Sequence, residues 1–364
     1  MSPEPSGVDW SLATATALRL VQPGPELPAR EVAEVVAELR DSAQRAEAYV
    51  TQVTGLHAAA GPGEAPVLVV DRPGWIRANV DALSAILTPL TDKITAQLGP
   101  GQSGPSSAPP WLAGLGARAA GIEVGVLMSY LAPKILGQFD PYFEPTGRLL
   151  LVAPNVAQIE RELRVPSRDF RLWVCLHEET HRVQFTAVPW LREHMRAQIA
   201  QVVAGADLGP DALGEMIRTA VQRITSRRDG EEVSLLDLVQ TPDQRVAIDR
   251  ITAIMTLLEG HADYMMDQVG PDVIGSVVQI RAKFDQRRGG QGFDRVIRRL
   301  LGLDAKLRQY REGAAFCRTV IGSVGLDGFN RVWTGPETLP TREEISAPQR
   351  WIDRAVPGVL GSAG

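Results

Sequence analysis

Apolar positions along this chain recur mostly at three- and four-residue steps and seldom alternate strictly, which predicts helices far more often than strands. Residues 29–53, "AREVAEVVAELRDSAQRAEAYVTQV", set Val, Leu and Ala among charges at that period, the pattern of an amphipathic helix. The same period returns in "RPGWIRANVDALSAILTPLTDKITAQL", where Pro73 suits a first helical turn. It returns again in residues 245–268, 273–287, 293–301 and 305–321. Residues 111–136, "WLAGLGARAAGIEVGVLMSYLAPKIL", are apolar nearly throughout and rich in Gly and Ala, which predicts a buried helix that neighbouring helices can approach closely. Two short runs, "APVLVVD" and "RLLLVAP", read as strands. After the second, Asn155 is placed to cap a short helix, and Ser167 to cap the next one, with Asp169 in its first turn. The expected fold class is therefore mainly α, with many helices, a few short strands and no internal repeat.

One stretch interrupts the pattern. Residues 99–110, "GPGQSGPSSAPP", are too dense in Gly, Pro and Ser for a packed element and predict a flexible linker. They divide an N-terminal helical region, 1–98, from a region 111–364, unless the two pack as one continuous unit.

Composition narrows the partners. The 364 residues carry a formal net charge of -5, which gives no electrostatic reason to expect nucleic acid or an anionic membrane surface. Arg118 and Glu123 interrupt the most apolar stretch, so it is not expected to span a bilayer. The first residues, "MSPEPSGVDW", lack a basic segment followed by an apolar run, and a cytoplasmic protein is expected. The two cysteines, Cys175 and Cys317, stand far apart and are expected to be small buried apolar residues. The basic run around "RRGGQGFDRVIRR" is expected to be a solvated helical face.

The chemistry concentrates in "LHEETHRVQF", residues 176–185. On a helix, residues four apart share a face, so His177 and His181 can aim their imidazoles at one point. Glu178 follows the first histidine by about 100° of rotation, beside a metal rather than on it, where a general base must stand. Zinc lowers the pKa of its water to roughly 7 and polarises a carbonyl; Glu178 would accept the proton, and the order of residues encodes hydrolysis. One zinc per chain needs a third protein ligand, and neither Gln184 nor Ala187 supplies it. Glu259 in "LLEGHADYMMD" is the best candidate, with Asp263 one turn on to orient a ligating imidazole. His261 is a competitor that cannot share the face of Glu259. Tyr310, Tyr264 and His261 are candidate donors to an oxyanion or substrate. His194 reads as a surface or supporting histidine and His57 as a helix-end residue.

In combination, "VDW", "VVDRPGW", "LHEETHRVQF", "LEGHADYMMD", "QYREGAAF" and "FNRVWTGPETLPT" resemble a family of zincin-like, zinc-dependent metallopeptidases typical of actinobacteria, one branch of which is labelled as associated with deazaflavin coenzyme biosynthesis. The pairing of H-E-x-x-H with a later E-x-x-x-D is similar to the glutamate zincins. The resemblance implies a zincin-like core, His177, His181 and Glu259 as metal ligands and Glu178 as base; a peptide or protein substrate is expected from the motif itself. A non-enzymatic scaffold or accessory protein, in which zinc braces two helices, is the alternative reading.

Overall fold

The computed structural model describes residues 7–57, 65–98, 110–204, 242–290 and 307–357. Twelve α-helices and three short strands form among them: α1 (Trp10–Leu20), α2 (Ala29–Thr54), β1 (Val67–Val70), α3 (Arg72–Leu98), α4 (Pro110–Leu131), β2 (Gly137–Asp140), β3 (Arg148–Val152), α5 (Ala153–Leu163), α6 (Ser167–Thr186), α7 (Pro189–Ala204), α8 (Pro242–Val269), α9 (Val277–Gly290), α10 (Leu307–Asn330), α11 (Arg342–Ser346) and α12 (Pro348–Ala355). The mainly helical reading holds. No helix among the described residues is long and apolar enough to cross a membrane.

The strands form one sheet in the order β1-β3-β2, with β1 parallel to β3 through Val67↔Leu149 and β2 antiparallel to it through Gly137↔Leu151. All five residues of the central strand β3 are buried, as expected of a strand covered on both faces. β2 is the element the hydrophobic pattern misses, because "GQFD" has no β-branched residue and no alternation to announce it.

Three apolar clusters hold the layers together. The first joins α2 to α5, α6 and α9 through Leu39, Val156, Phe170, Cys175, Leu176 and Ile280. The second joins α7, α8, α10 and the C-terminal helices through Leu191, Leu257, Phe316, Phe329 and Trp351. The third lays α1, α3 and α4 on the sheet through Ala13, Ile76, Val124, Leu150 and Val152, so residues on both sides of the 99–110 segment share a core. That segment, apart from Pro110, lies outside the described residues, as does the helix expected at 293–301.

The small residues of α4 act as expected: a Cβ on Gly121 would stand 2.4 Å from the Asp9 carbonyl oxygen, so α1 and α4 touch backbone to backbone. That helix stops at Leu131, short of residue 136, because Pro133 lies in a following turn of 3₁₀ helix. Asn155 does not cap α5. It lies inside the helix, donating to the carbonyls of Ala132 and Ile135, each at 2.6 Å, while Arg72 Nε donates to its Oδ1 at 2.7 Å. Ser167 is the first residue of α6 rather than its cap, and Pro166 holds that position. Asp169 does sit in the first turn, and accepts from the Ser276 backbone and hydroxyl. Cys175 and Cys317 are buried free thiols.

Candidate metal centre

Helix α6 runs where the first two clusters meet, and α8 crosses it there. The crossing turns His177 and His181 of α6 toward Glu259 of α8, and these three alone among the described residues form a group able to hold a metal ion, their donor atoms all within 4.8 Å. His177 Nε2 stands 3.3 Å from His181 Nε2, 3.5 Å from Glu259 Oε2, and His181 Nε2 3.7 Å from Glu259 Oε1. Ligands bound at about 2.0–2.1 Å from a tetrahedral zinc lie roughly 3.3–3.4 Å apart. The observed separations match that edge to within a few tenths of an ångström, so the donor set fits the ion.

The approach of α8 is fixed on its far side by glycine. A Cβ on Gly260 would meet the Gly313 backbone of α10 at 2.2 Å, and one on Gly313 would meet the Thr256 carbonyl at 2.2 Å. Any side chain at either position would push α8 and Glu259 away from α10.

The charges are those of a cation site. Burial pushes the Glu259 carboxyl up, but the neighbouring His181 and His177 charges and hydrogen bonds outweigh it and hold the carboxyl well below its ordinary value. Burial lowers the His181 pKa, yet the Glu259 carboxylate dominates and raises it to about 9. The carboxylate thus favours a proton on His181, and a cation at this site would compete with that proton.

Glu178 is 8% exposed and lies against the start of β2. A Cβ on Gly137 would sit 2.5 Å from Glu178 Cγ and 2.8 Å from Cδ, so only glycine leaves the glutamate its place. Burial pushes the Glu178 carboxyl above its usual range, opposed by the two imidazoles.

The two histidines are oriented differently from the expectation. Asp263 does not reach an imidazole: its carboxylate pairs with Arg281 at 3.5 Å, because a short side chain one turn beyond Glu259 already faces α9. The partner of His181 Nδ1 is Gln184 Oε1 at 2.9 Å, three residues on and so on the same face of α6. The sequence offered a signal for Gln184, a neutral amide at helical spacing from the motif on a buried face; for Gly137 it offered none.

His261 points away from Glu259, as expected, but into the interior. It is fully buried, stacked on Phe329 at 5.4 Å and edge-on to Trp333 at 5.2 Å, with its Nδ1 2.9 Å from Gln184 Nε2. Burial, with the His181 charge, lowers its pKa to about 3. It is not placed to touch a substrate. Tyr264 packs against the second apolar cluster. Tyr310 lies on α10, but its side chain is outside the described residues. His194 sits on α7 against Trp190, and His57 is exposed beyond the end of α2.

No curated protein matches the chain. A solved structure from Chloroflexus aurantiacus, described as a candidate hydrolase with a novel fold, is 28% identical, superposes with a TM-score of 0.68 and pairs 98% of this chain with 100% of its own. A family model described as zincin-like metallopeptidase matches residues 8–352, nearly the full length, and the chain belongs to that family.

Proposed function

We propose that the protein is a zinc-dependent hydrolase that cleaves peptide bonds, one zinc per chain, with His177, His181 and Glu259 as ligands and Glu178 as the base. The observation that carries this reading is the Glu178 carboxylate, without an ion-pair or hydrogen-bond partner among the described residues, beside three converging donors, since a purely structural zinc has no use for a base there. Side-chain exposures of 20% at His177 and 23% at Glu259 leave the centre open to solvent, which supports a catalytic site over a closed structural one.

When bound, zinc polarises a carbonyl and acidifies water. The remaining chemistry belongs to the chain. Glu178, with its carboxyl pushed up by burial, takes the proton of the attacking water and returns it to the departing amine. β2 supports a peptide as the substrate: it is an edge strand of the sheet, its first residue lies against Glu178, and extended peptides pair with strand edges.

Metal analysis of the purified protein together with cleavage of a peptide library tests the proposal. About one zinc per chain, cleavage by the parent protein, and a Glu178→Gln variant that keeps metal but does not cleave are expected. A protein without stoichiometric metal would end this reading, and a zinc-loaded one that cleaves nothing would return the scaffold alternative.

A further inference from the structure

We infer that Gln184 and His261 are positioning residues that fix the tautomer of the metal ligand His181, and that the Leu258 carbonyl sets the whole arrangement. The inference rests on the metal-centre reading above. A glutamine amide can be turned either way, so its orientation has to be argued from its partners. Gln184 has three: Leu258 O at 3.0 Å, His261 Nδ1 at 2.9 Å and His181 Nδ1 at 2.9 Å. A backbone carbonyl only accepts, so the group facing Leu258 is the amide NH₂. Oε1 then faces His181, which must donate from Nδ1 and keep its Nε2 lone pair for a metal. The same NH₂ faces His261, whose Nδ1 must accept, leaving the proton on Nε2.

One carbonyl thereby dictates the protonation of two histidines. It belongs to the residue directly before Glu259, so a single turn of α8 presents the third ligand and orients the second.

The identity of residue 261 supports this. Its ring lies parallel to Phe329, at an interplanar angle of 10°, fully buried where a phenylalanine would pack as well. Nε2 has no hydrogen-bond partner among the described residues. What histidine adds over phenylalanine is Nδ1, and its one bond is to Gln184. Holding an imidazole through its second nitrogen is a general way to raise metal affinity, and removing such a partner reduces affinity by about 10- to 100-fold. A neutral amide in this place, unlike a carboxylate, leaves the imidazole less electron-rich and a bound cation a stronger Lewis acid.

Nitrogen-15 NMR of histidine in the zinc-loaded full-length chain reads the tautomers directly. The expected spectrum has His181 protonated at Nδ1 and His261 at Nε2; His261 protonated at Nδ1 would overturn the inference. Zinc affinity gives the second readout, with zinc alone as the probe. Gln184→Met is expected to weaken binding by about 10-fold or more, and His261→Phe by a smaller factor in the same direction. Affinity within about two-fold of the parent in Gln184→Met would also overturn it, since a residue that only packs changes thermal stability and leaves affinity alone. If Gln184→Met does not fold, the parent spectrum still decides. A parent chain that binds no zinc would remove the metal centre itself, a failure distinct from either of these.

Discussion

Glu178 and Glu179 are consecutive on one helix, both buried, and treated in opposite ways. Glu179, whose side chain is wholly enclosed, is gripped by Arg182 at 2.7 Å, and Arg182 is in turn bridged to Glu47 of α2 at 2.9 Å. About three turns before Arg182, on the same side, Arg171 joins Glu160 of α5 at 2.5 Å and Glu38 of α2 at 2.6 Å. The buried charges Arg171, Glu179 and Arg182 are thus each closed by a partner. Glu178, by contrast, has no arginine or lysine partner among the described residues; the charges that act on it are those of the two imidazoles and of Glu259, and Gly137 lies against it. An uncompensated buried carboxylate is unfavourable, and a fold that pairs its neighbour one residue away leaves Glu178 without such a cation, the difference expected if Glu178 serves as the base proposed above.

The contrast makes sharp demands on substitution. Glu178→Gln should lower peptide hydrolysis on the order of 1,000-fold, about 4 kcal/mol in the barrier, while zinc content and melting temperature stay at the parent values; steady-state kinetics and metal analysis check it. Arg182→Met should do the reverse. It strands Glu179 in the interior and should remove about 3 kcal/mol of stability in denaturant unfolding, with turnover per folded, zinc-loaded molecule within about two-fold of the parent. Equal effects on both quantities in either variant would erase the distinction between the two faces.

Gly137→Ala shifts the Glu178 carboxylate without changing the identity of any titrating residue. The added methyl displaces Glu178, and turnover should drop about ten-fold, near 1.4 kcal/mol, with zinc affinity unchanged. The smallest effect belongs to a closed pair remote from the centre. Burial raises the Glu344 pKa, but hydrogen bonds from Arg354 and the Thr341 backbone and the Arg354 charge outweigh it and hold the carboxyl below its ordinary value. A carboxylate with a depressed folded pKa stabilises above the unfolded value and loses that contribution as pH falls through the folded one. Glu344→Gln should therefore cost about 1 kcal/mol at neutral pH, where the capping box with Thr341 is also weakened, and progressively less below about pH 4.5.

The helices were legible to different degrees for physical reasons. α2 and α8 carry long periodic apolar stripes, and their observed limits fall within a few residues of those the period predicts. β2 was not legible, since four residues with one glycine have no period to read, and its place comes from pairing with β3. Asn155 and Ser167 show the limit of cap signals. Both stand near helix starts, but Asn155 finds buried carbonyls to bond, and a side chain goes where its hydrogen bonds are best satisfied.

At the centre, residue type and local spacing are enough to name His177, Glu178 and His181, because helix geometry places neighbours four apart on one face whatever surrounds them. Glu259, 78 residues beyond His181 in sequence numbering (259 − 181), could be nominated by its chemistry, but its approach to the histidines depends on how α8 packs. Tertiary packing also chose Gln184 over Asp263 as the partner of His181, put His261 between aromatic rings, and set Gly137 against Glu178. The His181–Gln184 bond lies within α6 at a spacing the sequence shows, and packing enters it only through the Leu258 carbonyl of α8, which orients the amide; the places of His261 and Gly137 are contacts across elements, and no pattern along one helix carries that information.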